Sequence, residues 1–251
     1  MSTFKIYKSK KLSSFKNVIH GISSKGPFLF KQGPRLKVIE NRRKLFNKLS
    51  IKLKNVVMME QVHGNKIKIV MRNDRGKGAF SKKTYLKKTD ALITKVPQVF
   101  LASSVADCVP VLFYDPQNKI VSMVHGGWKG VAKNIGEKIV KEMKNKFKSD
   151  PQKIIAYLGP SIGSCCYEIS RKKDKNERIN KLPKAIIKKK NKIYLDLKGV
   201  LLRQLLKAGL KRKNIEISPI CTVCRNKDFA SNYKEGKNRR TSNLAVIGLK
   251  Y

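Results

Sequence analysis

The chain has 251 residues, of which 41% are hydrophobic and 8% aromatic, so it can bury a sizeable core and is not a disordered protein. No stretch approaches the roughly 18 consecutive apolar residues of a membrane span, and residues 1–20 lack the apolar core of a secretory signal. The formal net charge is +42, carried mainly by 46 lysines scattered along the whole chain. We therefore expect a cytoplasmic protein with no membrane partner, which binds polyanions non-specifically and in a salt-sensitive manner.

The first half of the chain predicts a helix followed by a series of strands. Apolar residues recur at helical spacing within 41–51, and strand-like runs follow at 55–64 and 65–71. Residues 72–90 are polar and contain glycine, which is typical of a loop. Several apolar runs separated by turn residues then occupy 91–125 and predict buried strands.

The apolar pattern changes its period after the "GGWKG" motif. Residues at helical spacing form one apolar face, and they are Val131, Ala132, Ile135, Ile139, Met143 and Phe147. Residues 149–169 predict a strand that leads into a glycine-containing loop, and 171–192 form a charged surface segment. Asp196 is suited to cap a helix that stops at Gly209. Residues 243–250 predict a closing strand.

Strands interleaved with helices predict a mixed fold of the α+β (mixed α/β) class. The chain has no internal repeat and no linker long enough to require two domains. We therefore predict a single compact domain over residues 1–251.

Three side chains suited to a metal share one sequence context. His63, Cys108 and His125 each end or follow an apolar, strand-like run and lie next to glycine or are followed closely by proline. Two imidazoles and a thiolate suit Zn²⁺, and three protein ligands leave a position open for water or substrate. Their spacing matches no local metal motif, so two core histidines and a buried thiol remain an alternative at this point.

Five motifs, in order along the chain, resemble those of the laccase-domain (polyphenol oxidase) family. They are "MEQVHGNKI", "VADCVPVLFYD", "VHGGWKGVAKNI", "GPSIGSCCYEI" and "CTVC". The resemblance extends from "HGISSKG" near residue 20 to "NLAVIGL" near residue 250, which is nearly the whole chain. A series of five ordered motifs is far more specific than any one of them.

The resemblance implies a fold, an activity and a metal site. The fold would consist of mixed β-sheets packed together with outer helices. The activity would be that of a purine nucleoside phosphorylase, which cleaves adenosine, inosine, guanosine or 5'-methylthioadenosine with phosphate and also deaminates adenosine. The metal ligands would be His63, Cys108 and His125, with Zn²⁺ or alternatively Cu²⁺ bound. Cys108 and His125 would then also belong to the catalytic centre.

Candidate phosphate ligands are Lys25, Lys129 and Arg225. Lys129 lies where a glycine-rich loop runs into a predicted helix, whose amides and dipole favour an anion. The family has arginine at the positions of Lys25 and Lys129, and lysine holds phosphate as a point charge rather than as a bidentate fork. The family's C-terminal motifs are also altered in "FASNYKEGKNRRTSN". Each of these cations is alternatively ordinary surface charge.

Two further residues have competing interpretations. Asp107, next to the cysteine ligand, is a candidate proton shuttle in deamination, or else a carboxylate that orients the site or caps a turn. Trp128 is the only tryptophan and could stack on a purine, but we expect it to pack in the core.

The remaining cysteines do not match a known metal motif. Cys221 and Cys224 form one CxxC pair, but Cys165 and Cys166 are adjacent and supply no second pair. We therefore interpret all four as structural or near-site thiols.

Three other functions compete with the phosphorylase. Cys108 and His125 could form the nucleophilic pair of a hydrolase or deamidase, which would not need His63. A basic nucleic-acid-binding protein would instead show sequence preference and salt-resistant affinity. Copper-dependent phenol oxidation fits poorly, because the chain has only three histidines.

Overall fold

Two β-sheets form the centre of the computed structural model, which describes residues 4–29, 33–236 and 239–251. The strands in chain order are β1 (Ile6–Tyr7), β2 (Val18–Ser23), β3 (Val56–Met58), β4 (Ile67–Ile69), β5 (Ala91–Thr94), β6 (Phe100–Val105), β7 (Val109–Asp115), β8 (Ile120–Gly126), β9 (Ile155–Leu158), β10 (Ile186–Lys189), β11 (Lys192–Leu195), β12 (Ile215–Ile217) and β13 (Asn243–Leu249). The helices are α1 (Lys10–Ser13), α2 (Arg35–Asn47), α3 (Trp128–Ala132), α4 (Ile135–Phe147), α5 (Lys175–Lys181), α6 (Leu197–Lys207) and α7 (Asn232–Glu235).

Both large sheets are mixed. The five-stranded sheet has the order β1-β2-β13-β6-β3, in which β3 and β6 are parallel and the other neighbours antiparallel. The six-stranded sheet has the order β12-β9-β7-β8-β5-β4, with parallel pairs at its two edges and antiparallel pairs between them. Strands β10 and β11 form a separate hairpin.

The two sheets pack face to face, and both faces of their central strands are buried. In β7, Leu112 and Tyr114 point into the core between the sheets, whereas Val111 and Phe113 point to the helical side. A strand covered on both faces needs apolar residues at consecutive positions, because alternate side chains point in opposite directions. This requirement explains the long apolar run of residues 109–114.

Helices cover the outer faces of both sheets. Helices α3, α4 and α6 pack on the six-stranded sheet, and α2 packs on the five-stranded sheet. The apolar face that predicts one helix after the "GGWKG" motif belongs to two helices, since the chain breaks at Asn134 with φ of 56°. Asp196 caps α6 as expected, its side chain accepting a hydrogen bond from the amide of Gly199.

The predicted mixed α+β fold with outer helices is confirmed. Two details were wrong. The helix expected within residues 41–51 is α2, which begins at Arg35 and ends at Asn47. The charged segment 171–192 contains a helix and most of a hairpin rather than surface loop alone. Of the helices in the described ranges, none has the length and hydrophobicity needed to cross a membrane.

Candidate active site

His63, Cys108 and His125 converge at one point. His63 lies between β3 and β4, Cys108 immediately precedes β7, and His125 is the penultimate residue of β8. The Sγ atom of Cys108 is 3.7 Å from Nε2 of His63, and the two imidazole rings have centroids 4.8 Å apart. One potential ligand atom from each of the three residues lies within 4.8 Å of the others. The predicted set of side chains is therefore brought together.

A buried carboxylate holds this trio in place. Asp90 Oδ1 accepts a hydrogen bond from the amide of His63 (3.0 Å) and is 2.9 Å from Nδ1 of His125. Asp90 Oδ2 accepts from the amides of Val62 (3.2 Å) and Gly64 (2.7 Å). The contact with His125 favours a proton on Nδ1 and leaves Nε2 to face Cys108, as a carboxylate does for a histidine that ligates a metal.

Sequence reasoning missed Asp90. The signal that could have found it is weak: an aspartate between a polar loop and a buried strand in "KKTDALIT". Burial raises the pKa of the Asp90 carboxyl, but the hydrogen bond and charge of His125 and the neighbouring amides outweigh it and lower that pKa. Asp90 is thus held in its ionised form beside His125.

Close backbone packing leaves no space for extra side-chain atoms beside the trio. A Cβ on Gly127 would lie 2.6 Å from Cδ2 of His63 and 3.4 Å from Sγ of Cys108. A Cβ on Gly130 would lie 2.5 Å from the carbonyl oxygen of Gly64. His63 itself has φ of 59°, a left-handed conformation that few non-glycine residues adopt. The glycines of "GGWKG" therefore allow two loops to approach until the ligands meet.

The thiol and the buried imidazole favour opposite charges. Burial raises the pKa of Cys108, but the charge of His125 and the hydrogen bonds from His125 and His63 outweigh burial and lower that pKa to about 6. Burial lowers the pKa of His125, but the Cys108 thiolate and Asp90 raise it to about 9. A thiolate is thus stabilised at neutral pH, which is the form that binds a metal or acts as a nucleophile.

The donor set fits a metal with an open coordination position. Tetrahedral Zn²⁺ with ligand bonds of about 2.0–2.3 Å places neighbouring nitrogen and sulfur ligands roughly 3.6 Å apart. The observed separation of 3.7 Å between Cys108 Sγ and His63 Nε2 agrees with this value. The three side chains are directed into a cavity, so a fourth ligand could come from solvent or substrate.

The cavity has a volume of about 450 Å³, within the range of small-molecule sites. Among the residues that the structure describes, three aromatic side chains line it, namely Trp128, Tyr167 and Tyr233. Within the same described ranges, three cations also line it, namely Lys172, Arg178 and Arg239. The cavity thus combines flat apolar surfaces with positive charge beside the candidate metal ligands.

Arg178 is held by several contacts on the cavity wall. Its guanidinium donates to the Tyr167 hydroxyl (2.7 Å) and to Asp174 (2.7 Å). It also lies over the Trp128 ring, 4.8 Å from the ring centroid. Lys172 lies over the Tyr233 ring at 4.7 Å. Trp128 is 8% exposed and packs in the core as expected, while part of its surface borders the cavity.

Asp107 accepts hydrogen bonds from two separate loops of the chain. One carboxylate oxygen accepts from the Thr222 hydroxyl (2.6 Å), and the other accepts from the Ser231 hydroxyl (3.1 Å) and the Tyr233 amide (2.6 Å). Burial raises the pKa of Asp107, although these hydrogen bonds oppose the increase. The geometry describes a carboxylate that positions cavity loops, and its proton-shuttle role stays a prediction.

The three phosphate candidates from the sequence do not line the cavity. The Lys25 ammonium donates to the carbonyl of Asn226 (2.6 Å), and the exposed Lys129 lies over the Trp128 ring, 5.5 Å from its centroid. Arg225 pairs with Asp228 at the surface. Their role in binding phosphate stays a prediction, and the cavity offers further cations whose sequence context does not distinguish them from the other basic residues.

Comparison with known proteins identifies the family. The sequence model described as "Multi-copper polyphenol oxidoreductase laccase" matches residues 31–250. The chain belongs to this family. A relative from Bacillus subtilis, "Purine nucleoside phosphorylase YlmD", is 36% identical over 219 residues, which are 85% of this chain and 77% of that protein. "Adenosine deaminase RL5", from an unknown prokaryotic organism, is 28% identical over 212 residues, 81% of this chain and 79% of that protein.

A solved structure agrees with the fold of this laccase-domain chain. The crystal structure of YlmD from Geobacillus stearothermophilus superimposes with a TM-score of 0.87 and 30% sequence identity. The superposition covers 97% of this chain and 94% of that one. The family resemblance predicted from the five motifs is confirmed, together with the packing of mixed sheets and outer helices that it implied.

Proposed function

We propose that this laccase-domain protein is a metal-dependent purine nucleoside phosphorylase. The observation that carries the proposal is the convergence of His63, Cys108 and His125 beside a cavity with aromatic walls and three cations. Relatives named purine nucleoside phosphorylase support the reaction class. The proposed substrates are adenosine, inosine, guanosine and 5'-methylthioadenosine, each cleaved with phosphate to the free base and ribose 1-phosphate, or 5-methylthioribose 1-phosphate from the last.

The metal ligands are the trio, with Zn²⁺ favoured over Cu²⁺ because the set contains a thiolate and two imidazoles without a redox requirement. When bound, Zn²⁺ supplies a Lewis acid next to the reacting groups. Asp90 keeps the His125 imidazole in the tautomer whose Nε2 can ligate, and it fixes the backbone of His63. These contacts preorganise the ligands before substrate arrives.

Cations of the cavity would bind phosphate. Arg178 has a planar guanidinium suited to phosphate oxygens, and its contacts with Tyr167 and Asp174 hold it in place. Lys172 would add a point charge on the same cavity, and Arg239 would add a second guanidinium. An exchange of Arg178 for glutamine should raise the phosphate KM at least tenfold, whereas Arg225→Gln, outside the cavity, should leave it unchanged. Equal effects of both variants would contradict this assignment.

The aromatic walls would hold the purine. Tyr167 and Tyr233 form an edge-to-face pair with ring centroids 6.3 Å apart, and Trp128 lies on the same cavity. Flat apolar faces bind any purine without reading its exocyclic groups, which supports the broad specificity that we propose.

A second reaction, deamination of adenosine, has one specific support. A relative covering most of this chain is named adenosine deaminase. A metal held by the trio would supply a Lewis acid for hydrolysis at the purine C6 position as well, so the same three residues would serve both reactions. Asp107 is the proposed proton shuttle, and loss of deamination alone in Asp107→Asn would support that role.

Chromatography of adenosine incubated with zinc-loaded protein, with and without phosphate, tests the proposal. Adenine formed only with phosphate, and lost in His63→Ala, is the expected result. Val62→Ala is the matched control, because Val62 is the exposed neighbour of His63 and supplies no ligand atom. Inosine under both conditions would mean that deamination dominates.

Absence of product under both conditions would overturn the phosphorylase. The alternative of a hydrolase with Cys108 as nucleophile and His125 as base would then be tested with thiol reagents. That enzyme would be inactivated by alkylation of Cys108 but would keep its activity with a chelator and in His63→Ala.

A further inference from the structure

The four remaining cysteines form a second cluster, apart from the trio. Cys165, Cys166, Cys221 and Cys224 offer sulfur atoms that all lie within 4.8 Å of one another. The Cys224 sulfur is 3.4 Å from that of Cys166 and 3.8 Å from that of Cys165. All four are free thiols. Their spacing in the sequence did not predict this convergence.

Tight turns explain how an adjacent pair and a CxxC pair reach one point. The amide of Cys166 donates to the carbonyl of Gly163 (3.0 Å), which closes a turn around the adjacent pair. The amide of Arg225 donates to the carbonyl of Cys221 (3.0 Å), which closes the second turn. In a turn, neighbouring side chains need not point in opposite directions as they do in a strand. The objection from adjacency therefore does not hold here.

Two of the sulfur separations are close to those around a metal with four thiolate ligands, and all lie within 4.8 Å. Tetrahedral Zn²⁺ with Zn–S bonds of about 2.3 Å places its sulfurs roughly 3.8 Å apart. The separations of 3.4 and 3.8 Å lie close to this value. A closed set of four sulfurs is typical of structural zinc, whereas the trio with three ligands is typical of catalytic zinc.

Backbone amides stabilise the thiolate of Cys221, whereas burial and the neighbouring sulfurs raise the pKa of Cys165 and of Cys166 in the metal-free cluster. The amide of Gly163 donates to the Cys221 sulfur (3.3 Å), and amides of Val223 and Cys224 add to this effect. Burial raises the pKa of Cys221, but these amide contacts outweigh it and lower that pKa. The Lys198 ammonium donates to carbonyls next to the CxxC pair, and burial lowers its pKa to about 8 although nearby thiolates oppose the decrease.

We propose that Cys165, Cys166, Cys221 and Cys224 bind a second Zn²⁺ in a closed, structural site. Each ligand enters as a thiolate, and the protons of the four thiols are released to solvent when the ion binds. The ion cross-links the loop after β9 to the loop after β12. This inference does not depend on the proposed phosphorolysis.

The cross-link lies directly behind the substrate cavity. Thr222, inside the CxxC pair, donates to Asp107, and the amide of Ile162 donates to the carbonyl of Asp107 (3.0 Å). Tyr167 follows Cys166 in the chain and lines the cavity. A metal that fixes both turns would therefore fix two walls of the cavity without contacting substrate.

The zinc content of matched variants tests the proposal. Native mass spectrometry and elemental analysis of protein purified with zinc should give two ions per chain. His63→Ala should retain one, because the cysteine cluster is intact, and His63→Ala combined with Cys224→Ser should retain none. Cys108→Ser is the matched cysteine control and should lose one ion from the trio only. In His63→Ala, Co²⁺ should give the absorption of tetrahedral four-thiolate coordination.

A His63→Ala protein without zinc, or with zinc retained after Cys224→Ser, would overturn the proposal. If the double variant fails to fold, the wild-type protein still provides a test. Its thiols are titrated after unfolding without a reductant, which counts the cysteines that are not in disulfides. Cysteines joined in disulfides would then appear as missing thiols that a reductant restores, and that result would also overturn the zinc site. Chelation should lower the thermal unfolding midpoint of His63→Ala. This result is independent of whether the protein has phosphorylase activity.

Discussion

Exchange of Asp90 for asparagine removes the group that holds the trio while keeping its shape. Each carboxylate oxygen serves two donors: Oδ1 faces the His63 amide and Nδ1 of His125, and Oδ2 faces the amides of Val62 and Gly64. In asparagine, an –NH₂ group replaces one of the two oxygens. Whichever oxygen it replaces, the –NH₂ group then faces two N–H donors and cannot accept from them. Two hydrogen bonds are then lost whichever way the side chain flips.

The expected loss has two parts. Buried donors left without an acceptor cost about 1–3 kcal/mol each, so the unfolding free energy of the metal-free protein should fall by about 3 kcal/mol. The affinity for Zn²⁺ should fall 10- to 100-fold, about 1.4–2.7 kcal/mol, because the His125 imidazole loses its orientation and part of its basicity. The phosphorolysis rate at subsaturating zinc should fall in the same proportion.

Chelator competition measures the zinc affinity, and urea unfolding of metal-free protein measures stability. Asp115→Asn is the matched control: Asp115 is also fully buried and accepts hydrogen bonds from Gln117 and Asn118, far from the trio. It should lose comparable stability but keep its zinc affinity at the trio. If Asp90→Asn and Asp115→Asn bind zinc equally well, Asp90 does not position the ligands.

Three further outcomes follow from the structure. Gly127→Ala should weaken zinc binding more than tenfold, since its Cβ would lie 2.6 Å from the His63 ring, while Gly33→Ala, with no atom within 4 Å, should have no effect in the same titration. Burial, with the charge of Lys8, lowers the pKa of His20 to about 4, so the unfolded chain binds a proton first as pH falls below about 6.5. His20 should therefore contribute about 2 kcal/mol of stability loss between pH 7 and pH 5 in urea unfolding, seen as the difference between wild type and His20→Gln. An equal loss in both proteins would exclude His20 as a cause. Binding to heparin should decrease steeply with salt because the net charge is +42, and a salt-independent affinity would contradict a purely electrostatic origin.

The sequence predicted those helices and strands whose position is set by neighbouring residues in the chain. The run from Val109 to Tyr114 predicts a strand because both of its faces are buried, and Asp196 predicts a helix start through its side-chain cap. The beginning of α2 was missed because its buried face contains Arg42, which donates to the carbonyls of Phe28, Gly78 and Ala79. The spacing of apolar residues does not show that an arginine is buried, because its guanidinium is hydrogen-bonded to carbonyl groups that are distant in the chain.

Site residues of a rare type could be predicted from the sequence, whereas site residues of a common type could not. With three histidines in the chain, His63 and His125 stand out, and the family motifs assign them. Lys172, Arg178 and Arg239 do not stand out among 58 basic residues, because only tertiary structure decides which of them face the cavity. Asp90 acts through hydrogen bonds to residues distant in the chain, and neither composition nor spacing records those.

Strand β13 pairs with β2 on one side and β6 on the other, so a segment near residue 249 lies in the middle of the five-stranded sheet. Leu249 is paired with Val18, across nearly the whole length of the chain. During synthesis on the ribosome, β2 and β6 each emerge long before the strand that joins them. Closure of this sheet therefore has to wait until β13 has been made and carries a large loop-closure entropy, and until then two apolar strand edges remain open to incorrect pairing.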